Sequence, residues 1–216
     1  MPPKALVSRR DGLRRPWAKV VLFALCLLPF IGLAVGAATG GLGVNPAEKL
    51  IRATGSWTLR MLCLTLAITP LRQLLKWPEL ARFRRMLGLF TFGYAALHLL
   101  CYAGFDMELD LAAIAKDVAQ RPFILIGMST FALLLVLAVT SFQPFVRWLG
   151  GRRWQALHRL VYLCAALALL HFFWMRAGKR DFTEVYVYAA LVSALLIARV
   201  LLRWRSRTLK RVRVAE

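Results

Sequence analysis

Residues 154–175 read Trp-Gln-Ala-Leu-His-Arg-Leu-Val-Tyr-Leu-Cys-Ala-Ala-Leu-Ala-Leu-Leu-His-Phe-Phe-Trp-Met. At about 1.5 Å per residue this helix reaches just over 30 Å, enough to cross the hydrocarbon core of a bilayer. Arg159 and two histidines, His158 and His171, lower its hydropathy, and Trp154 and Trp174 mark its ends as an interfacial belt does. Five other stretches repeat the pattern: 20–40, 56–75, 87–105, 122–142 and 184–203. The weakest is 56–75, which carries Arg60. The chain is 60% hydrophobic with a mean hydropathy of +0.61, whereas a soluble domain is nearer half apolar. The expected fold is an all-α membrane protein, a six-transmembrane-helix bundle occupying 20–203, with basic tails at 1–19 and 204–216.

The net charge of +20 is sorted by side. Twenty of the 30 Lys and Arg residues fall in the two tails, counted with Arg203, and in the 72–86 and 143–153 segments; seven fall in the alternate segments. Arg60, Arg159 and Arg199 lie within spans. The positive-inside rule then places both termini in the cytoplasm. The tails read as solvated flanks that touch anionic lipid, with no nucleic-acid partner. The first apolar run resembles a signal sequence but is too long for one, so it reads as an uncleaved helix. Cys26, Cys63, Cys101 and Cys164 show no CxxC spacing and read as apolar packing residues. No GxGxxG or P-loop is present, so no nucleotide-binding domain is expected within these 216 residues. Pro122 is placed to start a span, Gly150-Gly151 to make a turn, and 106–121 to form a short helix with an apolar face.

His98, His158 and His171 are the only histidines, and all three lie in or at the edge of spans. Imidazole inside a bilayer is costly and marks an ion path, a proton relay or a metal ligand. With the N-terminus inside, the spans holding His98 and His171 run parallel, and the two residues match in depth to within about one turn. Two neutral imidazoles so placed suit the axial positions of a heme iron, and double ligation favours electron transfer. His158 lies 13 residues before His171, about 20 Å deeper along an ideal helix. It is a candidate for a second heme or for contact with a flavin or quinone on the cytoplasmic side; an interfacial residue is the alternative. Arg60 is a candidate partner for a heme propionate, or a side chain reaching the outer headgroups. Arg84, Arg85 and Arg159 are candidates for holding the phosphate of flavin mononucleotide (FMN), with the positive-inside rule as the plainer explanation.

Several motifs, in order and spread over about 20–205, carry a family resemblance. They are Asn45-Pro-Ala-Glu-Lys, Ala53-Thr-Gly-Ser, Leu64-Thr-Leu-Ala-Ile-Thr-Pro-Leu, Arg84-Arg-Met-Leu-Gly-Leu, Ala96-Leu-His-Leu, Thr140-Ser, Trp154-Gln-Ala-Leu-His-Arg-Leu-Val-Tyr and Leu169-Leu-His-Phe-Phe-Trp. They resemble the heme-binding membrane subunits of bacterial methionine-sulfoxide reductase systems, within the ferric-reductase-like transmembrane group. The resemblance implies a multi-pass protein of the bacterial cell inner membrane with heme b, and with FMN as a further cofactor. It implies electrons from the quinone pool or a cytoplasmic flavin reductase. The implied acceptor is a periplasmic molybdopterin-containing methionine-sulfoxide reductase subunit that repairs oxidised proteins. Eukaryotic members of the group carry two histidines on each of two helices and a fused flavin and nicotinamide domain; this chain has one histidine fewer and no such fusion.

Three other readings compete. A histidine-relay transporter would favour acids within its spans, and no Asp or Glu lies in a span interior. A cytochrome b subunit of another membrane dehydrogenase would share the heme and differ in partner. A membrane scaffold would hold no cofactor.

Overall fold

The computed structural model describes residues 12, 13, 15–178 and 181–215, with side chains as far as residue 205. Most of the expected 1–19 tail and part of the 204–216 tail therefore lie outside the described residues. Every regular element described is helical. They are α1 (Pro16–Ala38), α2 (Pro46–Leu74), α3 (Arg84–Cys101), α4 (Leu111–Gln120), α5 (Pro122–Val139), α6 (Gln143–Leu157), α7 (Val161–Ala177) and α8 (Thr183–Ala215). Helical segments within Pro16–Ala38, Pro78–Asp106, Pro122–Val139, Gln143–Ala177 and Thr183–Arg205 are long and apolar enough to cross a membrane.

The sixth expected span, 56–75, differs from its reading. It belongs to α2, which begins ten residues earlier and runs for 29 residues. Pro46 occupies the first turn, where its missing N–H costs nothing. The Asn45 side chain accepts the Glu48 N–H at 3.1 Å, capping the helix. Its Thr, Gly and Ser content and Arg60 lower its hydropathy because α2 is the hub of the bundle, not a lipid-facing wall. Leu59, Leu62, Cys63 and Leu66 pack with Ala95, Leu134, Leu137, Cys164, Ala165 and Val192 from α3, α5, α7 and α8. Met61 and Ile68 pack with Ala18 and Cys26 of α1 and with Leu87 and Tyr94 of α3. Thr65 and Thr91 close the α2–α3 seam with a buried hydroxyl contact of 3.4 Å.

The span read as 154–175 is also built differently. Gly150 adopts φ 68° and breaks α6, which lets the chain turn before the next crossing. A 3-10 turn at His158–Leu160 then leads into α7. The last helix runs through the expected 204–216 tail as far as Ala215. The expected short helix in 106–121 is α4, capped by Asp110, whose carboxylate accepts from Ala112 and Ala113. Pro122 starts α5 as expected.

Pro29 lies within α1 and interrupts its ladder. Tyr94 of α3 repairs the neighbouring register: its hydroxyl donates to Cys26 O at 2.8 Å and accepts from Phe30 N at 3.1 Å. Groups freed beside a proline have no water to turn to in a bilayer. Tyr94→Phe should remove both bonds and cost about 1–3 kcal/mol, seen as a lower thermal midpoint of the detergent-purified protein; an unchanged midpoint would show that the hydroxyl does not hold α1 in place.

Candidate heme site

α3 and α7 bring His98 and His171 together. Their ring centres are 6.2 Å apart and their planes are crossed at 78°. Each ring is held the same way by a different helix. The Nδ1 of His98 lies 2.8 Å from the carbonyl oxygen of Ile51, and the ring covers Gly55 of α2. The Nδ1 of His171 lies close to the carbonyl oxygen of Phe123, at 2.6 Å, and the ring covers Gly127 of α5. In both cases the accepting carbonyl precedes the glycine by four residues, one helical turn. A carbonyl oxygen can only accept, so both Nδ1 atoms carry the proton. That leaves each Nε2 with a free lone pair, the form in which histidine binds a metal.

The glycines are a requirement of this packing. A Cβ at Gly55 would lie 3.0 Å from His98 Cε1, and one at Gly127 would lie 2.9 Å from His171 Cε1. Any other residue would push the ring off its carbonyl.

The separation of the rings suits one metal held between the two imidazoles. A nitrogen–metal bond of about 2 Å on each side and a ring radius of about 1.1 Å give roughly 6 Å between ring centres when one metal lies between two imidazoles. The observed separation of 6.2 Å agrees. Among the described residues no three His, Cys, Asp or Glu side chains converge. A bare ion ordinarily takes at least three protein ligands, whereas a porphyrin brings four nitrogens of its own and needs only the axial pair.

Arg60 of α2 stands one turn and a half below Gly55. Its Nε donates to Tyr188 Oη at 3.2 Å, and its guanidinium lies 4.6 Å from the Trp57 ring centre. It lines a pocket of about 570 Å³ together with Asn45, Trp57, Arg176 and Glu184. Arg176 pairs with Glu184 across this pocket.

His158 is separate from the pair. It stacks on Trp154 at 3.9 Å between ring centres. Its Nδ1 lies 3.1 Å from the Trp154 carbonyl oxygen and its Nε2 3.3 Å from Ser141 Oγ. It lines a second cavity of about 620 Å³ at the end of the bundle where α2 ends and α3 begins. Arg84, Arg85 and Arg159 line the same cavity, so the structure brings the three predicted phosphate candidates and His158 to one place. Arg84 is half-buried; Arg85 and Arg159 are exposed.

The comparisons agree with this architecture. Residues 54–169 match the family described as ferric reductase like transmembrane component. The chain is 57% identical over 199 residues to the protein-methionine-sulfoxide reductase heme-binding subunit MsrQ of Polaromonas naphthalenivorans, covering 92% of this chain and 91% of the relative. It is 52% identical over 190 residues to the MsrQ subunit of Herminiimonas arsenicoxydans, covering 88% and 87%. The Caulobacter vibrioides MsrQ subunit is 44% identical over 187 residues, 87% of each chain. This chain belongs to the MsrQ family of ferric-reductase-like transmembrane proteins. It is a multi-pass membrane protein.

Gly55 and Gly127 are the functional positions that reading this MsrQ-family sequence did not single out. The available signal was an isolated glycine, just before the 56–75 span in one case and inside 122–142 in the other, which marks close approach of another group. Gly55→Ala and Gly127→Ala should each cost about 1–3 kcal/mol through overpacking against the facing imidazole, measured as a fall in thermal midpoint. Gly93→Ala is the control: nothing lies within 4 Å of its Cβ position, so helix propensity should leave the midpoint level or higher. Equal behaviour of all three variants would contradict the cradle.

Proposed function

We propose that this chain is the electron-transfer subunit of a bacterial methionine-sulfoxide reductase system in the inner membrane, with six spans and both termini in the cytoplasm. It accepts electrons from the quinone pool or a cytoplasmic flavin reductase. It delivers them to a periplasmic molybdopterin-containing methionine-sulfoxide reductase subunit, which repairs oxidised periplasmic proteins. The observation that carries this reading is the crossed His98–His171 pair, with both Nε2 atoms free and 6.2 Å between ring centres. The names of relatives that align along about nine-tenths of the chain support heme as the group and methionine sulfoxide as the system's substrate. The distribution of Lys and Arg supports the orientation. The length and central position of α2 support a sixth crossing.

A heme b held by His98 and His171 would supply one-electron transfer. The chain's own residues do the rest. Ile51 and Phe123 fix the imidazole tautomer and raise the basicity of the ligating nitrogens. Gly55 and Gly127 fix the tilt of the rings. Arg60, braced by Trp57 and Tyr188, offers a guanidinium to a propionate. Phe123 packs beside the His171 ring, 6.1 Å between ring centres. At the cytoplasmic end, Arg84 and His158 line a cavity of a size and charge suited to FMN or a second heme, with Arg85 and Arg159 exposed at its rim.

A histidine-relay transporter is disfavoured by the locked tautomers. Each Nδ1–H is engaged by a backbone carbonyl, which cannot pass a proton on. A cytochrome b subunit of another dehydrogenase shares the heme, and identity to MsrQ subunits along the chain favours the sulfoxide reductase system.

A reduced-minus-oxidised optical spectrum of the purified protein tests the reading. Wild type expressed with ample heme should show low-spin b-type bands. His98→Ala and His171→Ala should each lose the bands of this site, and His158→Ala should keep them. Absence of heme bands from wild type would overturn the electron-carrier reading.

A further inference from the structure

The cavity at the cytoplasmic end holds one charge that the positive-inside rule does not explain. Arg85 and Arg159 are exposed and can stay hydrated. Arg199 cannot: it lies within α8, only 4% exposed. Its guanidinium donates to the Tyr162 hydroxyl of α7 and, at 2.8 Å, to the Leu66 carbonyl of α2. Its Nε has no partner. It lines the cavity together with Arg84, and none of the lining residues is Asp or Glu.

Holding an ionised guanidinium out of water without a counter-ion is strongly unfavourable, more so at membrane depth. A long side chain near a helix end ordinarily escapes by snorkelling to the headgroups. Arg199 is instead tied inward by bonds to two other helices, so its position is fixed. The space beside it, about 620 Å³, is of the size that takes a flat ligand. Apolar Leu134 and Leu137 line it, as do the hydroxyls of Thr65, Thr91 and Ser141 and the imidazole of His158. A phosphate carries between one and two negative charges near neutral pH, and a pair of carboxylates carries two. Either would balance Arg199 and Arg84 together.

We propose that Arg199, with Arg84 beside it, anchors the acid group of a flat redox cofactor in this cavity, and that the exposed arginines at the rim only attract it. This inference rests on the electron-carrier reading above and names the residue that holds the inner cofactor. The acid group has two sources that fit, the phosphate of a flavin mononucleotide or the carboxylates of a second tetrapyrrole. Charged groups at the rim govern encounter, while a buried, hydrogen-bonded one governs residence.

The test uses the full-length protein in detergent, as wild type, R199Q, R199K and the rim control R85Q. Each is titrated with FMN and with riboflavin, which has the same ring system and no phosphate, and heme per chain is counted by pyridine hemochrome. If the acid is a phosphate, wild type should prefer FMN by about tenfold or more. R199Q should lose that preference, R199K should regain part of it and R85Q should keep it. If the acid is a carboxylate, wild type should hold two hemes per chain and R199Q one. Survival of the His98–His171 bands in R199Q shows that the bundle is folded. Loss of those bands from wild type would sink the electron-carrier reading, whereas their survival with full cofactor retention in R199Q would sink this proposal alone. Wild type with one heme and no preference for FMN, or with only phospholipid co-purifying, would also overturn it. R199M without ligand should keep or raise the thermal midpoint, since removing an unbalanced buried charge relieves a penalty; a large fall would mark Arg199 as structural and contradict the assignment.

Discussion

An imidazole inside a bilayer has two nitrogens to account for and no water to satisfy either. That constraint organises this protein. For His98 and His171 the answer is the same: the Nδ1–H goes to a backbone carbonyl of the neighbouring helix, one turn before a glycine. The carbonyl sets the tautomer, the glycine lets the ring approach, and the Nε2 keeps a free lone pair. Two helix pairs, α2 with α3 and α5 with α7, supply one such cradle each. The core that joins them, through Leu62, Leu66, Leu134 and Cys164, holds the two imidazoles in register. A small displacement of either pair would change the distance between rings, so the packing of the bundle and the geometry of the site are one problem.

The ends of the bundle are unlike. At one end the paired imidazoles lie near Arg60 and a pocket edged by Arg176 and Glu184. At the other, a cavity gathers His158, Arg84 and Arg199 with no acid among its lining residues. The proposed route for electrons needs a site near each face, and the bundle offers a candidate at each end. Buried arginine is expensive, and the cost of holding Arg199 at 4% exposure is explicable where an acid-bearing ligand offsets it.

Much of this was legible in the sequence. Five of the spans followed from hydropathy, and the His98–His171 meeting from matched depth on two different helices. The start of α2 at Pro46 was missed because Glu48, Lys49 and Arg52 masked a helix that the Asn45-Pro46 cap signals clearly. The cradle glycines were missed because their role depends on which helix faces them, and spacing along one chain carries no such information. No repeat in the sequence announces the two cradles, since each is formed by one glycine, one carbonyl and a histidine about 44 residues away. Arg199 was visible as an arginine within a span, but its burial depends on Tyr162 and Leu66, which only the fold brings near.

The central claim is that His98 and His171 together ligate one iron with their planes crossed. The most direct measurement is a low-temperature electron paramagnetic resonance spectrum of the oxidised wild-type protein. Crossed imidazole planes should give the strongly anisotropic type of low-spin ferric signal, lost in both His98→Ala and His171→Ala. A high-spin ferric signal from intact wild type, or only the rhombic low-spin pattern of parallel imidazoles, would contradict the account.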